Sequence, residues 1–188
     1  MANQDSAFGL RAIGKIGQNR DAQGLSEYSI AASATAIYQG DPVKAINTGT
    51  IGVAAAGDVL LGSLNGVLYT DPSNKPVWAN HLAAANAATD IVGFVSDDPY
   101  ERFEIQSNNT GASLQTDVFM NYDIAYTAGA SPNFVSKVEL DDSSVVSTTA
   151  QLRIIGVSKD PSNNALASAN TNFVVEIVEH FYKQTAGI

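Results

Sequence analysis

Short apolar runs recur along the whole chain of 188 residues, and Gly, Pro, Asn or Asp interrupts most of them before they reach helical length. Residues 102–106 alternate between polar and apolar side chains, which is typical of a half-buried strand. The strongest strand candidates are residues 152–157 and 173–181. Nine or more such segments predict an all-β fold, an antiparallel barrel or sandwich.

Two local patterns refine this expectation. Residues Asn80–Ala88 read NHLAAANAA and predict the one short helix, within a loop and helix insertion over residues 71–90 that could cap one end of a barrel. The dipeptide Asn65-Gly66 predicts a hairpin turn, because both residues tolerate positive φ.

The first 25 residues differ from the rest in composition. Four glycines oppose a helix, since glycine costs about 1 kcal/mol relative to alanine in a helix interior. The apolar residues Phe8, Leu10, Ile13 and Ile16 nevertheless make the segment too apolar for a solvated tail. We therefore predict an extended N-terminal arm over residues 1–25 that lies on another protein, and a β-rich body over residues 26–188.

Charge divides the chain at nearly the same place. Residues 1–20 hold Arg11, Lys15 and Arg20 against one acid, whereas the rest of the chain holds 7 basic and 18 acidic residues. The net charge of −9 argues against general nucleic-acid binding, which requires a cationic surface. No run approaches the roughly 18 apolar residues that span a membrane. The absence of cysteine excludes disulfides and thiolate chemistry.

No catalytic, cofactor or metal site emerges from the motifs. The two histidines, His81 and His180, have no carboxylate at a spacing that would pair with them on a strand. The pairs Asp97-Asp98 and Asp141-Asp142 could ligate calcium, but without the EF-hand spacing they are better interpreted as turn residues. The glycines match no phosphate-binding loop and the serines no nucleophile elbow.

Several short stretches together resemble one family. They are Met1-Ala-Asn with Phe8-Gly-Leu-Arg11, Tyr38-Gln-Gly-Asp-Pro-Val43, Asp97-Asp-Pro99 with Phe103-Glu-Ile-Gln106, Val138-Glu-Leu-Asp141 leading to Gln151-Leu-Arg-Ile-Ile-Gly156, and the final strand ending at His180-Phe-Tyr182. In this order they are similar to the capsid decoration (cement) proteins of tailed bacteriophages of the marine and cyanobacterial type. The chain departs from that pattern at Ala12-Ile13 and at residues 80–88.

The resemblance implies a non-enzymatic virion structural protein on the outer surface of the phage head, with a β-rich body of the jelly-roll or tulip-like kind. Its partners would be the major capsid protein and further copies of itself, as a trimer, with no nucleic acid, membrane or cofactor. The arm would then contact the capsid through apolar anchors and cations. These candidate contact residues are Phe8, Leu10, Arg11, Ile13, Lys15, Ile16 and Arg20.

Two other functions stay open. A tail- or fibre-associated adhesin would bind host surface glycans through exposed aromatic residues near Trp78. An enzyme, either a hydrolase with a dispersed triad or a cupin-like metal barrel, is the weakest alternative, because two histidines are few for a cupin-type site.

Overall fold

A computed structural model describes residues 3–16, 24–108, 113–146 and 148–188. Its named strand pairs are all antiparallel, and none of the sheets closes into a barrel within the described residues. The predicted all-β antiparallel class is therefore confirmed, in its sandwich-like rather than its barrel form. The helical segments among the described residues are two single 3-10 turns, Gln115–Asp117 and Phe181–Lys183.

The strands, numbered in chain order, form two main sheets. The first sheet has the spatial order β1 (Arg11–Lys15), β10 (Glu101–Gln106), β15 (Asn172–Ile177), β14 (Leu152–Val157), β11 (Asn121–Tyr122). The second sheet has the order β2 (Ser26–Ser29), β9 (Val92–Ser96), β6 (Gly62–Thr70), β4 (Pro42–Ile46), β5 (Thr50–Val53), with β7 (Pro76–Ala79) also paired to β6. Two small pairs join β3 (Ile37–Tyr38) to β8 (His81–Leu82) and β12 (Ile124–Ala125) to β13 (Glu139–Leu140).

Each main sheet packs one of its faces on its own hydrophobic core, since successive side chains of a strand point to opposite faces. The first core combines Leu10 with inward residues of β10, β14 and β15, such as Phe103 and Val175. The second core is built around Leu64 and Val95. In chain order, the strands of the second sheet follow β1 and precede the other strands of the first sheet.

Hydrogen bonds join the two sheets where the chain passes between them, in a region around Leu10, Gly40 and Leu60 that we call the joint. The Leu10 N–H donates to the Gly40 carbonyl at 2.8 Å, and the Ser63 hydroxyl donates to the Leu10 carbonyl at 2.6 Å. At the other end, Leu60 exchanges backbone hydrogen bonds with Glu179 and Phe181. The joint is therefore made of directional bonds as well as apolar contact.

The described part of the predicted arm lies on the body of the same chain. The Asn3 side chain donates to the carbonyls of Ala165 and Ala169 at 3.0 and 2.8 Å, and the Asn163 side chain donates to the Gln4 carbonyl at 2.7 Å. Residues 11–15 then form β1, which pairs with β10. The apolar character of the segment is explained, at Leu10, by burial in the chain's own core.

The predicted helix at residues 80–88 is wrong. His81 and Leu82 form β8, and Ala85 has a left-handed φ of 57°. The Asn86 side chain accepts a hydrogen bond from the Ala88 N–H, an example of asparagine competing with helical bonding. A two-turn helix is marginal without such competition, so pairing with β3 prevails.

The predicted hairpin at Asn65-Gly66 is also wrong. Strand β6 runs through this dipeptide, with an irregular register against β9 between Leu64 and Gly66. The turn lies instead between β6 and β7, where Asp71 Oδ1 accepts the N–H groups of Ser73 and Lys75. The last strand ends at Ile177, earlier than residue 181, because the chain then bridges to Leu60.

Candidate binding face on the first sheet

The residues predicted to contact a partner lie in different environments in the structure. Leu10 is buried in the core of this chain, so its side chain cannot be a surface anchor. Phe8 and Ile16 are half-buried, and Ile13 is 49% exposed. Arg20 lies outside the described residues. Ile13 is thus the predicted anchor that presents most apolar surface to a partner.

Arg11 projects from the outer face of the first sheet. Its guanidinium pairs with Glu104, the residue opposite it on β10, and lies 4.3 Å above the Phe8 ring. The Arg11 side chain is 54% exposed whereas that of Glu104 is 9% exposed. Glu104 is held from below by the Ser158 hydroxyl and by Asn172 Nδ2 at 3.4 Å. The cation is therefore the outermost member of the pair.

A second row of charges crosses the same face. Glu176 on β15 lies in register between Arg102 on β10 and Arg153 on β14. Arg153 Nη1 is 3.4 Å from Glu176 Oε1, and its Nε donates to Asn121 at 3.0 Å. The buried Nε of Arg102 has no hydrogen-bond partner among the described residues. Cross-strand pairs of opposite charge stabilise such a sheet modestly.

These rows border a shallow depression of about 400 Å³ on the outer face. Three cations and one carboxylate line it, together with apolar atoms of Ile13, Val157 and Val174. Its charged lining residues are Lys15, Arg102, Lys159 and Glu104. A face of this composition stands out on a chain whose net charge is −9, and we refer to the depression with Arg11 and Arg153 as the arginine face.

Lys15 does not present its charge to solvent. Its ammonium is 2.8 Å from Asp98 Oδ2, and its side chain is only 11% exposed. Of the two predicted cations among the described residues, Arg11 is therefore the more exposed, with its charge at the surface while paired with Glu104. Sequence reasoning missed Arg102, Arg153 and Lys159, although the period-2 spacing of Arg102 with Glu104 on one strand was a usable signal.

The histidines occupy structural positions. His81 stacks on Phe134, with ring centres 3.9 Å apart and an angle of 4° between the planes. His180 is buried, its Nδ1 accepts the Tyr182 N–H at 3.1 Å, and burial lowers its pKa to about 4. No group of three or more His, Asp or Glu side chains in the described residues is arranged to hold a metal ion.

The acidic pairs act within turns and ion pairs. Asp97 accepts hydrogen bonds from the hydroxyls of Ser26, at 2.8 Å, and Tyr28. Asp141 Oδ1 accepts the Ser143 N–H at 3.0 Å, as expected of an Asx turn. Among the helical segments of the described residues, none has the length and hydropathy of a membrane span.

The second sheet has an outer face of different character. Trp78 on β7 is 68% exposed and stacks on Phe94 of β9, with ring centres 4.9 Å apart. Leu68 lies between Trp78 and Val92 in the strand register. We refer to these four residues as the aromatic platform.

Comparison with protein-family models, with curated proteins and with solved structures finds no match to this chain. The resemblance to capsid decoration proteins therefore stays a prediction, and the fold and the two outer faces are the observations on which a function is argued.

Proposed function

We propose that this chain is a non-enzymatic structural protein of a phage virion, which binds the outer surface of the head and cements the major capsid protein. The sequence resemblance suggests this class, and the all-β fold is compatible with it. The observation that carries the attachment is the arginine face, where cations and Ile13 are exposed on an otherwise acidic chain. Its complement is an acidic surface of the capsid shell.

Deleting residues 1–25 would be a poor test of this attachment. The deletion removes strand β1 and the buried Leu10, so it would damage the fold as well as the contact. Point variants on exposed side chains separate the two effects.

Lys159→Glu and Lys75→Glu form a matched pair for the binding test. Both lysines are exposed and both variants change the charge equally, but Lys159 lines the arginine face whereas Lys75 lies in the β6–β7 turn of the second sheet. In cosedimentation with phage heads that lack the protein, Lys159→Glu should weaken binding about tenfold, which corresponds to about 1.4 kcal/mol. Equal binding by the two variants would overturn the proposed contact.

The resemblance also suggests a homotrimer. The first sheet ends at β1, which pairs only with β10 among the described strands, and strand edges of this kind are commonly covered by neighbours. Analytical ultracentrifugation of the free protein, and a reconstruction of the virion, would show whether three copies associate before or only on the head.

A glycan-binding adhesin is the second candidate, and the aromatic platform favours it. An exposed indole backed by a second ring offers a flat apolar surface of the sort that sugar rings pack against. Since Trp78 is the single tryptophan, its fluorescence reports this site directly. Titration with neutral oligosaccharides should shift the emission if this function is right, and unchanged emission would reject it.

A further inference from the structure

Lys15, Asp98 and Glu101 meet where the first strand of the first sheet ends. Lys15 is the last residue of β1, and its register partner is Glu101, the first residue of β10. Asp98 lies in the turn just before β10, with Oδ2 2.8 Å from Lys15 Nζ. The two side chains are 11% and 21% exposed, and Glu101 is buried.

The Asp98 carboxylate is held in one orientation by its neighbours. Its Oδ1 accepts the Tyr100 N–H at 2.8 Å, while its backbone carbonyl accepts the Glu101 N–H at 2.9 Å. One carboxylate oxygen therefore faces the lysine nitrogen and the other faces a backbone donor. This is the arrangement that stabilises negative charge on a carbonyl oxygen when a nucleophile adds to its carbon.

Glu101 is placed to carry a proton between these groups. Directly opposed residues on antiparallel strands have Cβ atoms about 4.5–5.5 Å apart, which brings the Glu101 side chain alongside Lys15. Burial raises the pKa of Glu101, and the Asp98 charge acts in the same direction, while Lys15 and the Gly14 N–H oppose the rise. A buried carboxyl that keeps its proton more readily than usual can act as a general acid.

We propose that Lys15 and Asp98 condense spontaneously into an intramolecular isopeptide bond, with Glu101 as the proton carrier. The Lys15 ammonium first gives one proton to Oδ2 of Asp98, and the neutral Nζ then attacks Cγ of Asp98 to form the C–N bond. Glu101 delivers its proton to the departing Oδ2 and recovers one from the nitrogen. The C–O bond breaks and one water leaves, so that an ammonium and a carboxylate become an amide and water with no oxidant or reductant.

Holding the two groups in contact lowers the activation barrier that free lysine and aspartate would face. Groups held in reacting orientation reach effective molarities of about 10⁵–10⁸ M. The partial exposure of Asp98 gives the released water a route to solvent.

The bond would close a covalent ring around the second sheet. All strands from β2 to β9 lie between residues 15 and 98. A link across a loop of this length restricts the unfolded chain as a disulfide does, and this chain contains no cysteine with which to make one.

Intact mass spectrometry of the purified full-length chain tests the proposal. The wild-type mass should fall below the sequence mass by one water molecule, and a protease digest should release a branched peptide joining the Lys15 and Asp98 segments. Lys15→Arg, which keeps the cation but not the nucleophile, should show its full sequence mass. A wild-type protein at full mass after prolonged incubation would overturn the proposal.

Two further measurements separate the chemistry from simple proximity. Glu101→Gln should leave most of the protein unlinked under conditions where wild type is complete. Lys44 and Asp58 form a matched internal control, because their atoms are 2.7 Å apart but both side chains are more exposed. A bond found at Lys44, or Glu101→Gln linked as fast as wild type, would contradict the assigned role of burial and Glu101.

Discussion

The two sheets share one construction and differ in what they turn outward. Both bury alternate residues on a core of their own, yet the first sheet presents rows of arginine and glutamate whereas the second presents the aromatic platform. The alternation of side chains along a strand decides which residues face outward, but it does not decide whether those residues are charged or apolar. A single chain can in this way offer a charged face to one partner and an apolar face to another.

The largest effect on stability is expected when one core leucine is truncated in each sheet. Leu10→Ala and Leu64→Ala should each cost toward the upper end of about 2–5 kcal/mol, because both side chains are fully buried. Far-ultraviolet circular dichroism follows both sheets during urea unfolding, while Trp78 fluorescence follows the second alone.

If the joint couples the sheets, the two signals will shift together in both variants. Leu10→Ala that shifts the circular dichroism midpoint without the Trp78 midpoint would show instead that the sheets unfold separately.

The next test strains the joint itself. Gly9 has a left-handed φ of 74°, and a Cβ there would lie 2.2 Å from the Gly40 carbonyl oxygen. Gly57 has a φ of 77°, but no atom of the described residues lies within 4 Å of such a Cβ. Gly9→Ala should cost about 3 kcal/mol from backbone strain plus overlap, and Gly57→Ala about 1–2 kcal/mol from strain alone. Equal urea midpoints for the two variants would mean that the joint accommodates the added methyl group without loss of stability.

How much of the fold could be predicted from the sequence differs even within the first sheet. The alternation of residues 102–106 correctly predicted β10, because a half-buried strand carries its own periodicity. The placement of residues 3–16 could not be read in the same way. Its decisive contacts, such as Asn3 with Ala165 and Leu10 with the first core, join residues far apart in sequence.

The arginine face shows the same limit. Each charged residue is visible in the sequence, but its row exists only through the strand order that brings Arg102, Glu176 and Arg153 side by side. Local sequence patterns predict which residues of a strand face outward, but they do not predict which residues of other strands lie beside them.

Lowering the pH should change the free energy of unfolding in opposite directions through two buried groups beside the joint. Burial raises the pKa of Asp41 from 3.8 to about 6, so the folded state holds a proton more tightly and stability falls as pH rises from about 4 to 6. For His180 the folded pKa falls from 6.5 to about 4, so stability is lost as pH falls through that range. Near pH 5 the two trends offset one another.

The variant Asp41→Asn should isolate the pH dependence of stability that His180 contributes. Its stability should fall steadily between pH 6.5 and 4, by up to about 2–3 kcal/mol, whereas wild type should vary less. Urea midpoints measured across this range at constant ionic strength provide the check. Parallel pH profiles for the two proteins would show that Asp41 does not contribute.

The outer faces themselves should contribute least to stability and can be told apart by salt. Trp78→Ala should cost about 1 kcal/mol, from loss of the stack on Phe94, and Arg153→Ala at most about 1 kcal/mol. At 1 M salt the Debye length shrinks to about 3 Å, so the cost of Arg153→Ala should largely vanish while that of Trp78→Ala persists. Circular dichroism during urea unfolding at low and high sodium chloride measures both. A salt-insensitive Arg153→Ala would mean that the arginine packs against the sheet through its stem rather than through its charge, and the chemical contrast between the two faces would then be smaller than their sequences indicate.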